Sequence, residues 1–281
     1  MHEKEIYYNK LIQIPHLNLT PFLPKVPLNS FEKDLKQFKD ADFLPYQTAT
    51  KNKEFFDFLA KNWHGMCLID SVKNGKQFMD YYTNTINDDK LEFNFDKNGK
   101  AIFAPTTVGE MCPNILKYCY DIVKSPKRTR LSRLISGGHF HWHSHKVLSE
   151  ASQANKKFAN GPTGKYKNTV IMHIVLKTNP KCWMGVTDQH PFGGLPYEMY
   201  KQHYGLGEIW ILNGDYYHNP FNGGNEDRDH IMLYANPFDE TLFPAIKNSI
   251  DNYDGPVITE DIIPQRILGD LKLNTETGLS L

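Results

Sequence analysis

The chain has few of the features that assign a protein to a class at sight. No apolar run approaches the ~20 residues that a membrane-spanning helix needs. The opening stretch, MHEKEIYYNK, is charged and lacks the apolar core of a secretory signal. Neither sign of charge dominates: 32 Lys and Arg balance 32 Asp and Glu, and the pI is about 7.2. That balance argues against nucleic acid or an acidic membrane surface as a partner. The densest basic stretch, KSPKRTR (124–130), fits a solvated turn before a strand. Cysteine is scarce, with four residues in 281 and no CxxC pair. Reduced, buried thiols are therefore expected. Together these absences predict a soluble, cytoplasmic protein without a nucleic-acid or membrane partner.

What the chain does have is apolar and aromatic substance, 40% and 13% of residues, enough for a sizeable core. The first thirty residues, rich in Pro and Leu, predict an extended segment over the surface. Helical spacing predicts a helix over 31–39 capped by Ser30, and further helices over 53–63, 75–86 and 109–124. Asn98-Gly99 predicts a hairpin over 91–104. Beyond residue 125 the pattern changes to short strands at 129–135, 140–147, 169–177, 182–186, 208–213 and 229–236, divided by Gly, Pro and Asn. A short helix follows in the tail, within ETLFPAIKNSI. The expected fold is α+β: one domain over 1–281, with a helical and extended N-terminal part (1–125) packed on a double-stranded β-helix, or jelly-roll, core (126–238), and a C-terminal tail (239–281).

The segment GGHFHWHSH (137–145) holds four of the twelve histidines. On a regular strand His139, His141, His143 and His145 share one face, ~6.6 Å apart along it. Two neighbouring imidazoles can lean onto one ion, whereas four span ~20 Å and cannot. His218 follows an apolar strand and a tight turn far downstream, and a sheet closed on itself can bring it to that pair. Imidazole ligands with open positions suit iron as well as zinc. Arg228, ten residues further on, stands where a loop enters a strand. It can clamp a carboxylate, or pair at the surface with Asp227 or Asp229.

In order and spacing these residues resemble the aspartyl/asparaginyl β-hydroxylase family of iron(II)- and 2-oxoglutarate-dependent oxygenases. RLSRLISGGHFHWHSH (130–145), VIMHIVLKTNP (170–180) and GEIWILNGDYYHNPFNGGNEDRDH (207–230) carry the likeness, which covers roughly residues 109–238. It implies Fe(II) on His143 and His218, and 2-oxoglutarate as co-substrate held by Arg228, Ser132 and His173. Dioxygen and a small-molecule or peptide substrate are the implied partners, and hydroxylation of an unactivated C–H bond the implied reaction. His139 matches a histidine that recurs ahead of the metal ligand in some members. Two positions depart from the pattern. His145 stands where relatives carry Asp or a non-ligating residue; it either completes a three-His site, which strand geometry favours, or bonds a metal-bound water. Ile171 replaces an Arg of some members, leaving Arg130 or Arg133 as substitute bases.

The same stretch also resembles part of a cupin signature. Gly137, His143, His145 and Glu150 fit its first motif. Gly207, His218 and Asn222 fit the spacing of the second, but Asn213 and Asp215 replace its Pro and Gly. A cupin would use His143, His145, Glu150 and His218 without 2-oxoglutarate. A third possibility is a barrel that binds metal or a small ligand without catalysis, which an outward-facing Arg228 would support. Segments 149–168 and 187–207 are candidate loops framing a substrate pocket.

Overall fold

The computed structural model describes residues 3–45, 62–71, 97, 102–140, 142–144, 169–187 and 199–258. Two antiparallel sheets face each other, and helices cover the outer side of the larger one. The larger sheet has eight strands. They are β1 (His16–Asn18), β2 (Leu44–Pro45), β3 (Trp63–Asp70), β4 (Ala104–Pro105), β5 (Thr129–Leu134), β6 (Val170–Lys177), β9 (Ile209–Leu212) and β11 (Arg228–Ala235). Their order is β1-β9-β6-β11-β5-β3-β2, with β4 beside β3. The smaller sheet runs β10-β7-β8, from Tyr217–Asn222, Cys182–Thr187 and Met199–Gln202.

β11 lies at the centre of the large sheet, and all eight of its residues are buried. A strand covered on both faces has no need of polar alternation, which explains the near-continuous apolar runs of β6 and β11. On the outer face Met172, Ile174, Ile211, Ile231 and Leu233 join the main core together with Ile115, Cys119, Ile122 and Ile246 of the helices. Between the sheets a second cluster forms from Val175, Trp210 and Leu212 of the large sheet, Met184 and Val186 of the small one, and Tyr204 and Tyr216.

The helices are α1 (Glu3–Leu11), α2 (Leu28–Leu35), α3 (Thr107–Glu110), α4 (Pro113–Ile122) and α5 (Leu242–Asp251). α4 buries Ile115, Tyr118, Cys119 and Ile122, one stripe at helical spacing. Its first turn is capped from outside: the Ile115 backbone N–H and the Asn114 amide donate to the Asp34 carboxylate of α2, at 2.9 and 2.7 Å. The single helix expected over 109–124 is broken at Cys112-Pro113, because proline lacks the N–H and disfavours α geometry in the residue before it.

Other expectations are corrected as well. The helix expected over 31–39 starts at Leu28, directly after Pro27, so Ser30 lies inside it and is not its cap. The first thirty residues are not simply extended, because α1 and β1 lie within them. Trp63 opens β3 instead of closing a helix, and residues of the N-terminal part, including β1 and β3, enlarge the sheet beyond 126–238. The described part of 140–147 forms no continuous strand: His139 and His143 each make a single bridge, to Phe221 and His218. Part of the expected loop 187–207 is β8. The helix over 75–86, most of 53–63 and of the hairpin, and loop 149–168 lie outside the described residues.

The four cysteines are free and buried. Among the described residues no helix is long and apolar enough to cross a membrane.

Candidate functional site

His143 and His218 come together from positions 75 residues apart in the chain. Their backbones exchange two hydrogen bonds, His218 N–H to His143 O at 2.8 Å and His143 N–H to His218 O at 3.2 Å. Their ring centroids are 4.2 Å apart. Both residues are buried. The turn that frees His143 from β5 passes through Gly137, whose φ of 71° is left-handed. His218 Nδ1 lies 3.0 Å from the Tyr216 carbonyl. A carbonyl only accepts, so Nδ1 carries the proton and Nε2 carries the lone pair that a metal would take. Burial pushes the His218 imidazole down to about 4, which keeps that lone pair unprotonated at neutral pH.

The pair opens into a cavity between the sheets with about 290 Å³ of empty space, its mouth included. His173 and Arg228 line it with the pair, and Trp63 forms part of its wall. Ile171, Met184, Leu212 and Met232 give it an apolar surface. Strand alternation explains the set: Arg228 and Met232 share one face of β11, and Ile171 and His173 one face of β6.

Arg228 is the cation of this cavity. It is 5% exposed. Its Nη1 approaches the Met184 sulfur at 3.3 Å, and its Nε has no partner among the described residues. The acids expected to neutralise it are engaged elsewhere. Arg133 binds Asp229 through Nε at 2.8 Å and Nη2 at 2.9 Å, reaches Asp40 at 2.7 Å, and has Asp227 at 3.9 Å. Burial lowers the Arg228 guanidinium to about 10, so it stays charged at neutral pH. A buried cation without an acid is costly unless an anion completes it. Arg228 therefore does not lie on the outside, far from His218.

The other expected residues fall as follows. Ser132, on β5, is buried and accepts a hydrogen bond from the Trp63 indole; it does not itself line the cavity. His173 lines the cavity, and its Nδ1 lies 3.3 Å from Nδ1 of His230. Neither Arg130 nor Arg133 lines the cavity, so neither substitutes there for the Arg that Ile171 replaces. His139 packs against Phe221, with ring centroids 6.5 Å apart. Asn222 is committed to structure: its amide donates to the Leu134, Ile135 and Glu226 carbonyls. His141, His145 and Glu150 lie outside the described residues. Among the described residues no three His, Cys, Asp or Glu are grouped to hold a metal.

Two residues of the site were not expected. Trp63 was assigned to a helix, and its WHGMCLID run gives no clean strand period. His230 stands two positions after Arg228, and same-face alternation along β11 was the signal that could have found it.

No family model matches the chain, and no curated protein matches it. Solved structures similar to it include HygX from Streptomyces hygroscopicus, whose crystals hold nickel, 2-oxoglutarate and hygromycin B. It is 11% identical with a TM-score of 0.40, over 85% of this chain and 88% of that one. Others are peruvianin-I, a cysteine peptidase from Thevetia peruviana latex, and a 7S globulin from Momordica charantia, each 10% identical with a TM-score of 0.25, over 39% and 45% of this chain. The chain spans 50% and 27% of the lengths of those two. Likenesses this distant carry no functional weight.

Proposed function

We propose that the chain is a non-haem Fe(II)- and 2-oxoglutarate-dependent dioxygenase. Its reaction would be hydroxylation of an unactivated C–H bond of an amino acid, a peptide side chain or a related small molecule. The observation that carries this is Arg228: a buried, uncompensated guanidinium in the same cavity as two imidazoles that can share an ion. A carboxylate co-substrate that also chelates a metal would complement both the guanidinium and the imidazoles.

In this reading His143 and His218 hold the iron. His145 would be the third protein ligand, and 2-oxoglutarate the chelating co-substrate. A bound iron would supply oxygen activation. The chain's own residues do the rest. Arg228 takes the far carboxylate in a charge-assisted pair. His173 offers a ring nitrogen beside it. Ser132, which does not line the cavity, would act through the Trp63 indole that it accepts from. Ile171, Met184, Leu212 and Met232 exclude water, which strengthens every polar contact inside. The two facing sheets suit a double-stranded β-helix core over 126–238, widened by the N-terminal strands in one domain. The order of His143, His173, His218 and Arg228 is what suggests the aspartyl/asparaginyl β-hydroxylases within that class, and the buried thiols suit the cytoplasm.

The test is co-substrate binding and turnover. With Mn(II) present, millimolar 2-oxoglutarate should raise the melting temperature. With Fe(II) and oxygen, succinate should form across a panel of free amino acids and peptides. A metal-dependent shift with no response to 2-oxoglutarate would overturn the proposal and favour the cupin alternative.

A further inference from the structure

Four buried polar atoms around Arg228 have no hydrogen-bond partner among the described residues: Arg228 Nε, His173 Nε2, His230 Nε2 and Thr178 Oγ1. They belong to two neighbouring spaces. His173 and Arg228 line the cavity of the histidine pair. His230, Thr178 and again Arg228 line a smaller one of about 130 Å³. The wall between them contains the contact of His173 Nδ1 with His230 Nδ1 at 3.3 Å.

That contact restricts where the protons are. A neutral imidazole has one N–H. Both rings are held neutral, since burial and then the Arg228 charge push each well below its ordinary value. Between two Nδ1 atoms one must donate and the other accept, so the two rings are opposite tautomers. If His230 donates, His173 carries its proton on Nε2. If His173 donates, its Nε2 presents a lone pair instead.

An anion on Arg228 distinguishes the two arrangements. A carboxylate accepts only, so it is complemented by an Nε2–H and opposed by a lone pair. We infer that His230 is a positioning residue: by donating from Nδ1 to His173 Nδ1, it fixes His173 as the Nε2–H tautomer that donates to the carboxylate held by Arg228. The inference rests on the function proposed above and deepens it. It accounts for two of the four partnerless atoms: Arg228 Nε–H and His173 Nε2–H serve the anion.

Two variants of the full chain, with Mn(II) and 2-oxoglutarate as the probe, test this by calorimetry. His230→Phe keeps an aromatic ring and removes the donor; affinity should fall about 10- to 100-fold, the worth of a charge-assisted bond. His230→Asn puts an amide N–H where Nδ1 stood and should restore affinity to within about threefold of the parent. Equal weakening by Phe and Asn, or no weakening by Phe, overturns the inference while leaving the function intact. No binding by the parent protein overturns both. Should the Phe variant fail to fold, the parent decides alone. With ¹⁵N-labelled histidine, Zn(II) and bound 2-oxoglutarate, His173 should be protonated on Nε2, and protonation on Nδ1 refutes the assignment.

Discussion

At the scale of single residues, Arg228 is a buried guanidinium that no acid pairs among the described residues. Arg228 and Arg133 both stand beside Asp227 and Asp229, yet Arg133 takes both acids and Arg228 faces the cavity. Replacing a buried, unpaired cation with an apolar side chain of similar length removes a desolvation cost. Arg228→Met should therefore leave the ligand-free protein as stable as its parent or more so in urea titrations, while abolishing the 2-oxoglutarate-dependent rise in melting temperature. Loss of both stability and binding would mean that the guanidinium is structural. Sequence was informative at this scale because ligand chemistry belongs to residue types. His143, His218 and Arg228 could be named from their side chains and spacing. What sequence could not show was that Arg133 withdraws the acids; that depends on which neighbour across β5 and β11 reaches them first.

At the scale of elements, close approach of backbones decides more than propensity does. Thr106 caps α3: its Oγ accepts from Gly109 N–H at 3.0 Å, and it donates to the Cys67 carbonyl at 2.6 Å. Its own N–H reaches the Leu68 carbonyl at 3.0 Å. These bonds draw α3 so near β3 that a Cβ on Gly109 would stand 2.0 Å from Leu68 O. Gly109→Ala must push the helix away, and it should cost about 2–3 kcal/mol, read as a lowered urea midpoint. An unchanged midpoint would show that this junction is loose. β6, rich in β-branched residues, and β11 were legible because their apolar runs are long and bounded by turn residues. β3 and β10 were not. WHGMCLID has no period to separate strand from buried helix, and YHNPFN carries a proline and two asparagines that local preference assigns to loops.

At the scale of the whole molecule, several imidazoles are held neutral where water cannot reach them. His16 ties the N-terminal strand to the inter-sheet cluster. Its Nε2–H donates to the Tyr200 carbonyl at 3.1 Å, and its Nδ1 accepts from the Tyr204 hydroxyl at 2.8 Å. Burial lowers it from 6.5 to about 4, and His173 and His230 are likewise held well below their ordinary value. The unfolded chain takes up these protons below about 6.5, whereas the folded chain refuses that of His16 until about 4. Stability is thus complete above neutral pH and falls as pH drops through 6.5 towards 4, by about 1.4 kcal/mol per pH unit for each such histidine. Urea midpoints at pH 7.5, 6 and 5 should descend, and His16→Gln should flatten part of the slope; a flat profile in the parent would contradict the burial. The general plan, helices before a β-rich half, could be anticipated from the order of patterns. That N-terminal residues such as His16 and Trp63 complete the sheet could not, because those pairings join residues more than sixty positions apart. The solitary guanidinium also has a consequence at the bench. Citrate, tartrate or succinate carried over from purification would settle against it, so preparations that differ only in buffer history should melt at different temperatures until thoroughly dialysed into a carboxylate-free solution.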